Sequence, residues 1–552
     1  MRGVSVDVRT PVDEYLARQR DMTAVERFSD LHDRAAAPLH ERWYRDLMPA
    51  SAPGPGQQYR FEVDMDACTS CKSCVSACHS LNGLDDGEAW RSVGVVIGSG
   101  PAGPTQQTVT TACHHCVDPA CLAGCPVDAY DKDPVTGIVE HLDDQCIGCT
   151  YCTWTCPYEV PRFNERLGIV RKCDMCTDRL AVGEAPACVQ ACPNGAIAIG
   201  IVDVAELRAA TTDDDVLVPG APRSTLTIPT TEYRRRDPLP VGAVATDAWS
   251  ERPQHTHTPL VVMLVLTQLA VGAFGVVGAL TSGLADLDAR AEQWCITAGL
   301  VTGVVALLAS IGHLGRPLQA WRAVIGIGHS WLSREIVAFG AFAALAALAT
   351  AISWLDSPLV VAGWGADDVT GALATGVGLV AVWCSVMVYA VTGRRWWRLD
   401  RTARAFLSTT VVGGASVAAC VVAVASSSAP TEVAAAIRPA ALVGLAVAVP
   451  ALVADAWVLR PGGPRDPQLA RSAGLLRNAL VHPVAVRFVC GTLGGVVVPL
   501  LVVSISSEDV PDLAVLRFLA IVGALAVLVG ELAGRQLFFR AMVAPRMPGV
   551  PQ

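Results

Sequence analysis

Sixteen of the twenty cysteines lie before residue 200, in four groups of four. The first and third groups are spaced C-x2-C-x2-C-x3-C, the second C-x2-C-x4-C-x3-C and the fourth C-x2-C-x11-C-x3-C. Such a loop brings three thiolates around one iron–sulfur cubane and points a fourth at a neighbouring cluster. The spacing therefore predicts four [4Fe–4S] clusters and single-electron transfer. The groups are Cys68, Cys71, Cys74 and Cys78; Cys113, Cys116, Cys121 and Cys125; Cys146, Cys149, Cys152 and Cys156; and Cys173, Cys176, Cys188 and Cys192.

Other uses of cysteine fit this pattern poorly. Zinc ribbons use C-x2-C pairs, but a third cysteine two residues on, with a C-x3-C-P, is not zinc spacing. Disulfides need an oxidising compartment, and the start MRGVSVDVRT has neither the apolar core nor the Arg pair of an export signal. Buried free thiols do not come as four matched tetrads. The remaining Cys295, Cys384, Cys420 and Cys490 are expected to be small apolar filler.

Residues 95–103, VVIGSGPAG, match the G-x-G-x-x-G pattern of dinucleotide-binding proteins. That pattern binds pyrophosphate only where a helix opens at the glycines, within a βαβ unit of about 30 residues. Here TQQTVTTA follows, without a helical apolar stripe, and cysteine groups lie close on both sides. The stretch therefore predicts a β-hairpin with strands SVGVVIG and TQQTVTTA and the tip GSGPAG, and no bound nucleotide.

After residue 258 the chain is rich in Ala, Val, Leu and Gly and has eight apolar stretches. Each has about 20 residues, enough to cross about 30 Å of hydrocarbon. We therefore expect an α+β ferredoxin-like domain with four cluster motifs, followed by an all-α bundle of eight transmembrane helices. The stretches are near 259–284, 292–312, 335–355, 370–392, 405–427, 434–458, 486–506 and 512–534.

These features divide the chain into five parts. Within the first part, Thr23 and Glu26 form a capping box that opens an amphipathic helix to about Ala35. This helix is either a docking arm for a partner subunit or a surface helix. The parts are an N-terminal extension (1–58), the four-cluster domain (59–203), a Pro/Thr-rich linker (204–258), the membrane anchor (259–534) and a cytoplasmic tail (535–552).

Arginine counts predict the orientation. Of 19 arginines after residue 259, sixteen follow the even-numbered helices, and only Arg290, Arg438 and Arg517 lie on the other side. The positive-inside rule then places both termini and the cluster domain in the cytoplasm, at the inner (plasma) membrane. The net charge is −9 without a basic patch, so no nucleic-acid partner is expected.

Residues 60–203 resemble the four-cluster iron–sulfur subunit of dimethyl-sulfoxide-reductase-type molybdenum complexes, through CHHCVDPACLAGCP, QCIGCTYCTWTCPYEVPRF and RKCDMCTDRL…ACVQACP. The membrane half resembles the anchor subunit of the same family, through HLGRPLQAWRA, SWLSREI, VMVYAVTGRRWW and GELAGRQLFFRAMVAPRMPG. The chain thus resembles a fusion of the two subunits. The resemblance implies a separate molybdopterin-containing catalytic subunit as partner and electron exchange with the membrane quinone pool, expected to be menaquinone.

The resemblance also implies how the cysteines share the clusters. Some relatives have Trp at the second position of the third motif and a three-iron cluster, whereas Cys149 implies a four-iron cluster here. The implied sets are Cys68, Cys71, Cys74 and Cys192; Cys78, Cys173, Cys176 and Cys188; Cys113, Cys116, Cys121 and Cys156; and Cys125, Cys146, Cys149 and Cys152.

Four ionisable residues near helix ends are candidates for the quinone site, because such groups in a membrane are often functional. In the family, residues matching His313 and Glu335 belong to the quinol site; an imidazole exchanges protons near neutral pH and a carboxylate passes them on. Asp455 and Glu531 are weaker candidates. For all four, the alternative is interfacial snorkelling or helix capping.

No haem is expected, since axial histidines usually pair on facing helices, and His313, His329 and His482 lie at ends or in loops. A second functional hypothesis is a subunit of a larger quinone-linked respiratory complex coupled to ion translocation. A pump needs a polar path across the bilayer, but the ionisable candidates crowd one side. The pattern favours an electron-transfer subunit with an anchor, and its orientation favours a partner acting on sulfite, nitrate or a sulfur oxyanion.

Overall fold

The computed structural model describes residues 10–35, 41–100, 103–249, 251–285, 287–355, 360–361, 364–460, 462–507 and 511–550. Short helices and small sheets occupy the first half of the chain, and long helices occupy the second. The α-helices before the membrane half are Pro11–Arg20, Ala24–Arg34, Ser73–Leu81, Ala120–Gly124, Tyr151–Thr155, Thr177–Ala181, Ala187–Gln190 and Val204–Ala210. The strands there are Gln57–Asp64, Ser92–Gly100, Gly103–Thr111, Tyr130–Lys132, Val139–His141, Arg162–Asn164, Ile169–Arg171, Ile197–Asp203, Glu232–Arg234 and Val244–Ala245.

A three-stranded sheet closes the cysteine-rich region. Its central strand Gln57–Asp64 pairs antiparallel with Ile197–Asp203, which follows the last cysteine group. Alternate residues of the central strand, among them Phe61 and Val63, point into the core, as the period of two in a strand requires. The first and last cysteine groups are thereby brought to the same side of the domain. The structure confirms a mixed α/β domain ahead of a helical region.

The G-x-G-x-x-G stretch lies in a hairpin, as predicted. Strands Ser92–Gly100 and Gly103–Thr111 pair antiparallel in a register that joins Ser92 to Thr111. The residues after its glycines continue as a strand, so these glycines do not lead into the helix that a pyrophosphate site requires. Residues 101–102 at the tip lie outside the described residues.

Residues 204–258, predicted as a linker, instead add to the cluster domain. Glu232–Arg234 pairs in parallel with the central strand, and Val244–Ala245 pairs with the hairpin. Thr230 also donates hydrogen bonds from its backbone N–H and its hydroxyl to the carbonyl oxygen of His114. The Pro- and Thr-rich composition did not predict these short strands, because each has no strand pattern of its own and is stabilised by pairing with a strand that is distant in the sequence.

The N-terminal helix Ala24–Arg34 begins at the predicted capping box, in which the Thr23 side chain accepts from the Glu26 backbone. A helix that was not expected from the sequence, Pro11–Arg20, precedes it. Val25, Phe28 and Leu31 are exposed on the second helix. Both interpretations of this segment, docking arm and surface helix, stay open.

Within the described residues, eight helices are long and apolar enough to cross a membrane, as predicted. Several run past the predicted apolar stretches; the eighth, for example, continues to Arg540, beyond residue 534. Backbone hydrogen bonds do not stop where the hydrocarbon ends, so hydropathy underestimates helix length. In order, these membrane helices are Thr258–Leu284, Ala289–Ile311, Trp331–Trp354, Ala366–Ala390, Leu399–Ala425, Pro430–Val458, Val481–Ile505 and Leu513–Arg540.

Membrane helices one and five form the centre of the bundle. A side chain at Gly272 of helix one would meet the carbonyl oxygen of Thr410, and one at Gly414 of helix five would meet the backbone of Gly272. Small residues at such a crossing let two membrane helices approach closely without a hydrophobic driving force. The other helices pack around this pair. The C-terminal ends of the even-numbered helices lie on the side of the bundle that faces the cluster domain.

Candidate electron-transfer site

All four cysteine groups share one backbone feature. The residue before the second cysteine of each C-x2-C lies in the left-handed region, which places successive backbone N–H groups on one concave side of the loop. Such concavities bind anions and occur at iron–sulfur sites. These residues are Ser70 (φ 60°), His115 (φ 39°), Gly148 (φ 68°) and Met175 (φ 59°).

Backbone N–H groups also donate hydrogen bonds directly to cysteine sulfurs, with short examples in the first, second and fourth predicted sets. Hydrogen bonds to sulfur favour the thiolate form and tune the potential of a bound cluster. The pairs are Ala196 N–H to Cys192 Sγ (3.2 Å), Met175 N–H to Cys173 Sγ (3.4 Å), Ala129 N–H to Cys125 Sγ (3.3 Å) and Gly148 N–H to Cys146 Sγ (3.4 Å).

The fold brings together cysteines from groups that are distant in the sequence. Cys192 lies beside the first group, although more than a hundred residues separate them. Cys78 likewise lies beside Cys176 and Cys188. Cys156 lies beside Cys113 and Cys116, and all four thiols of that set line one cavity. Cys125 lies beside Cys146, Cys149 and Cys152.

Each of the four sets lies close to the next. Cys188 of the second set lies close to Cys74 of the first, and Cys173 of the second lies close to Cys113 of the third. Buried Tyr130 lies between Cys121 of the third set and the cysteines of the fourth. Cys71 of the first set is exposed at the surface. The series therefore runs from an exposed end to a buried end.

Two buried cations, Arg91 and Lys172, lie between the sets and were missed by sequence reasoning. They are 2% and 3% exposed, and neither forms an ion pair with a carboxylate among the described residues. Burial alone lowers the pKa of Lys172, but the nearby thiolates of Cys113 and Cys121 raise it above its usual value. A buried cation without a carboxylate needs another anion. The position of Lys172, one residue before Cys173, was the available signal.

These observations fit cubane clusters. Each thiolate of a [4Fe–4S] cluster binds a different iron, so the four sulfurs surround a space instead of converging on a point. In the parts of the chain that the structure describes, no three His, Cys, Asp or Glu side chains converge as ligands of a single ion. The left-handed loops, the N–H···S hydrogen bonds and the buried cations all favour an anionic group within each set.

The buried end of the series rests on the membrane helices. The backbone N–H of Arg316 donates to the Ile147 carbonyl at 3.0 Å, and the Tyr151 hydroxyl donates to the Val388 carbonyl at 2.7 Å. Gly148 packs against Gly315, where a side chain on either residue would clash with the neighbouring backbone. The fourth set is therefore the one closest to the membrane anchor.

A cavity of about 450 Å³ opens beside the fourth set, between the two halves of the protein. Thr150 and Trp154 line it from the third cysteine motif, and His257 and His313 line it from the ends of membrane helices one and two. The His257 ring contacts the Trp154 ring edge-on at 4.9 Å between centroids. Burial lowers the pKa of His257 to about 4 and moves the pKa of His313 below its usual value. Both imidazoles are therefore mainly neutral at pH 7.

His313 lines this cavity, whereas Glu335 does not. Glu335 is 3% exposed, accepts a hydrogen bond from the Ser385 hydroxyl and lies near Tyr151 and Tyr389. The second turn of membrane helix three directs Glu335 toward helix four.

Asp455 and Glu531 lie together at another place in the bundle. Arg487 bridges them, contacting Glu531 Oε1 and, at 3.3 Å, Asp455 Oδ2. Arg404 adds a contact of 3.1 Å to Asp455 Oδ1. The structure brings these two carboxylates to each other and to arginines, and neither lines the cavity that contains His313.

Comparison with known proteins supports both halves of this architecture. Residues 105–202 match the 4Fe-4S dicluster domain, and residues 254–540, more than half of the 552-residue chain, match the DMSO reductase anchor subunit (DmsC). The chain belongs to the DmsC anchor family. Because an iron–sulfur domain precedes this anchor, the protein combines electron transfer and membrane anchoring of a DMSO-reductase-type complex in one chain.

Curated relatives match the cluster domain of this DmsC-family protein. It is 40% identical over 159 residues to the B subunit of anaerobic dimethyl sulfoxide reductase of Escherichia coli (strain K12), covering 27% of this chain and 76% of that subunit. It is 35% identical over 183 residues to the iron-sulfur subunit of nitrate-inducible formate dehydrogenase of the same organism, covering 29% of this chain and 62% of the relative. The match to the anchor family and the eight apolar helices make this a multi-pass membrane protein. The matches of the cluster domain indicate 4Fe–4S binding and a catalytic molybdoenzyme partner.

Proposed function

We propose that the protein exchanges electrons between membrane quinone, expected to be menaquinone, and a molybdopterin-containing catalytic subunit, through four [4Fe–4S] clusters. The observation that carries the proposal is the series of four cysteine sets, with an exposed first set and a fourth set against the membrane anchor. When bound, each cluster accepts and releases one electron at a time. The chain's own residues hold the series in order and, through Arg91 and Lys172, supply compensating positive charge between the sets.

We place quinone exchange in the cavity lined by His257 and His313. This cavity opens at the membrane face of the protein, and Thr150 and Trp154 on its wall belong to the loop that holds the fourth set. The His313 imidazole is part of the lining of this cavity, where a ligand oxygen can approach it. The neutral imidazole would accept a proton from a quinol, and the imidazolium so formed would deliver a proton to a reduced quinone in the reverse direction. The proposal includes no haem and no nucleotide.

In the proposed function, Glu335 influences the quinone site without lining the cavity. The Trp154 ring contacts both the His257 ring and, at 6.0 Å between centroids, the ring of Tyr389, which is close to Glu335. An acidic group buried among these aromatic rings can influence the site without contacting a quinone. The proposal is tested by electron exchange between quinone and the clusters of the isolated full chain.

We propose a cytoplasmic position for the cluster domain and both termini, at the inner membrane. A reporter fused after Gln552 should behave as cytoplasmic, and one inserted in the 355–369 loop as external, because an odd number of helix crossings separates the two positions. The measurement is the paired activity of a reporter active only in the cytoplasm and one active only outside. Residues 356–359 and 362–363 of that loop lie outside the described residues.

The contacts of the arginines determine what the opposite topology would mean. The Arg316 guanidinium donates to the Asp143 carbonyl at 2.7 Å, and Arg394 contacts Glu159 at 3.2 Å. These arginines hold the cluster domain against the membrane helices. The excess of arginines on this side therefore has a second explanation besides the direction of membrane insertion. An external C-terminal reporter would show that docking explains the arginine bias and would contradict the proposed orientation.

A further inference from the structure

A second charged cavity lies between membrane helices five, six, seven and eight, at the end of the bundle that faces the cluster domain. It has about 70 Å³ of space. Four guanidinium groups and two carboxylates line it, which gives it a net charge of +2. We call it the arginine cavity; its charged residues are Arg401, Arg404, Arg487, Arg535, Asp455 and Glu531.

Two of the four arginines are occupied by the carboxylates. Arg404 contacts Asp455, and Arg487 bridges Asp455 and Glu531. Glu531 also accepts a hydrogen bond of 2.6 Å from the Thr409 hydroxyl. These pairs balance their own charges and leave the excess positive charge on the other two arginines.

Arg401 and Arg535 form no ion pair with a carboxylate among the described residues. Arg401 lies over the Trp396 ring at 3.6 Å from its centroid, and Arg535 lies over the Phe406 ring at 3.8 Å. Stacking fixes the plane of a guanidinium and leaves its N–H edge to hydrogen-bond acceptors. Arg535 is 4% exposed; its Nη2 donates to Gln268, and its Nε is buried without a hydrogen-bond partner. An excess of buried positive charge requires a counter-ion.

We propose that the arginine cavity binds a phosphate group, that of an anionic phospholipid headgroup. A planar guanidinium matches the oxygens of a phosphate in a bidentate manner, and the available space suits one phosphate group. The cavity lies at the helix ends, the depth at which headgroups meet a bundle, and basic pockets between membrane helices bind anionic headgroups. A neutral quinone ring would leave the charge of +2 uncompensated. The cavity is also distinct from the one beside the fourth cysteine set, since the two share no lining residue.

The test uses the full chain with its clusters, exchanged into nanodiscs of phosphatidylglycerol or of phosphatidylcholine, followed by native mass spectrometry of retained lipid. The wild type should retain phosphatidylglycerol in preference to phosphatidylcholine. Arg401→Gln should weaken that retention about fivefold, since one arginine near a membrane surface contributes about 1 kcal/mol to binding an anionic lipid. Arg401 is the position of choice because its removal leaves no carboxylate without a partner, and Arg401→Lys should keep most of the retention.

Arg460→Gln is the matched control. Arg460 also lies over a tryptophan, Trp457, at 4.2 Å and on the same side of the bundle, but it does not line the arginine cavity. The Arg460→Gln variant should retain as much phosphatidylglycerol as the wild type. If the protein retains inorganic phosphate in the absence of phospholipid, and Arg401→Gln loses it, the cavity binds phosphate as a free ion and not as a lipid headgroup. Equal retention of both lipids, equal retention by Arg401→Gln and Arg460→Gln, or retention of quinone alone would overturn the proposal.

Discussion

Replacing His313 by Ala is expected to abolish turnover with quinone while leaving dye-linked turnover intact. The imidazole lines the cavity beside the fourth cysteine set. Loss of a positioned acid–base group lowers a rate by about 10²–10⁴-fold, so the quinone-linked rate of the variant should fall by at least about 10²-fold. An artificial dye that reaches the clusters from the water phase bypasses the cavity. The measurement is the ratio of the two rates in the assembled complex.

Two further variants separate proton exchange from packing. His257→Ala should reduce the same ratio, because His257 lies close to His313 in the cavity. His482→Ala is the matched control; it removes an exposed histidine near the start of membrane helix seven, on the same side of the bundle and outside the cavity. If His313→Ala keeps full quinone-linked activity with intact clusters, the site lies elsewhere. Glu335→Gln is then the next variant to measure.

Replacing Cys149 by Ala should remove one cluster and stop electron transfer at the membrane end of the series. Cys149 belongs to the set nearest the anchor, so the other three sets keep all their thiols. Anaerobically purified protein should fall from about 16 to about 12 iron per chain, with sulfide falling in parallel. Quinone-linked turnover should be lost, and the paramagnetic resonance signals of three clusters should persist after dithionite reduction.

The control for Cys149→Ala is Cys420→Ala, which removes a partly exposed thiol from membrane helix five. It should keep about 16 iron and full turnover, because this cysteine belongs to none of the four sets. A wild-type protein that contains zinc, or only about eight iron after full reconstitution, would contradict the four-cluster assignment. Loss of more than one cluster in Cys149→Ala would contradict the independence of the sets.

Sequence patterns predicted the parts of the protein whose causes are local. The cysteine spacing reflects the length of a loop around a cluster, and the left-handed residues Ser70, Gly148 and Met175 lie at the matching position of each loop. The eight membrane helices follow from hydropathy, which depends on the composition of each stretch alone. The hairpin was predictable because the residues after its glycines are β-branched and polar.

Features that depend on distant pairing were not predictable in the same way. The short strand Glu232–Arg234 is held by residues about 170 positions earlier, and its own composition predicted a linker. His257 was overlooked because nothing in its neighbourhood shows that helix one begins beside Trp154. Likewise, the sequence shows His313 and Glu335 near one another, while the helix turn sends them to different surroundings. Arg91 becomes significant only once the fold encloses it among cysteines.

The most direct test of the proposed function is electron exchange between quinone and the clusters in the isolated full chain, without the catalytic subunit. The clusters are reduced with a stoichiometric amount of dithionite and mixed with a water-soluble menaquinone analogue in a stopped-flow instrument, and the recovery of iron–sulfur absorbance is followed. We expect rapid reoxidation of the wild type and of His482→Ala, and slow reoxidation of His313→Ala. Reoxidation at the same rate in all three proteins, or none in the wild type, would contradict quinone exchange at the His313 cavity.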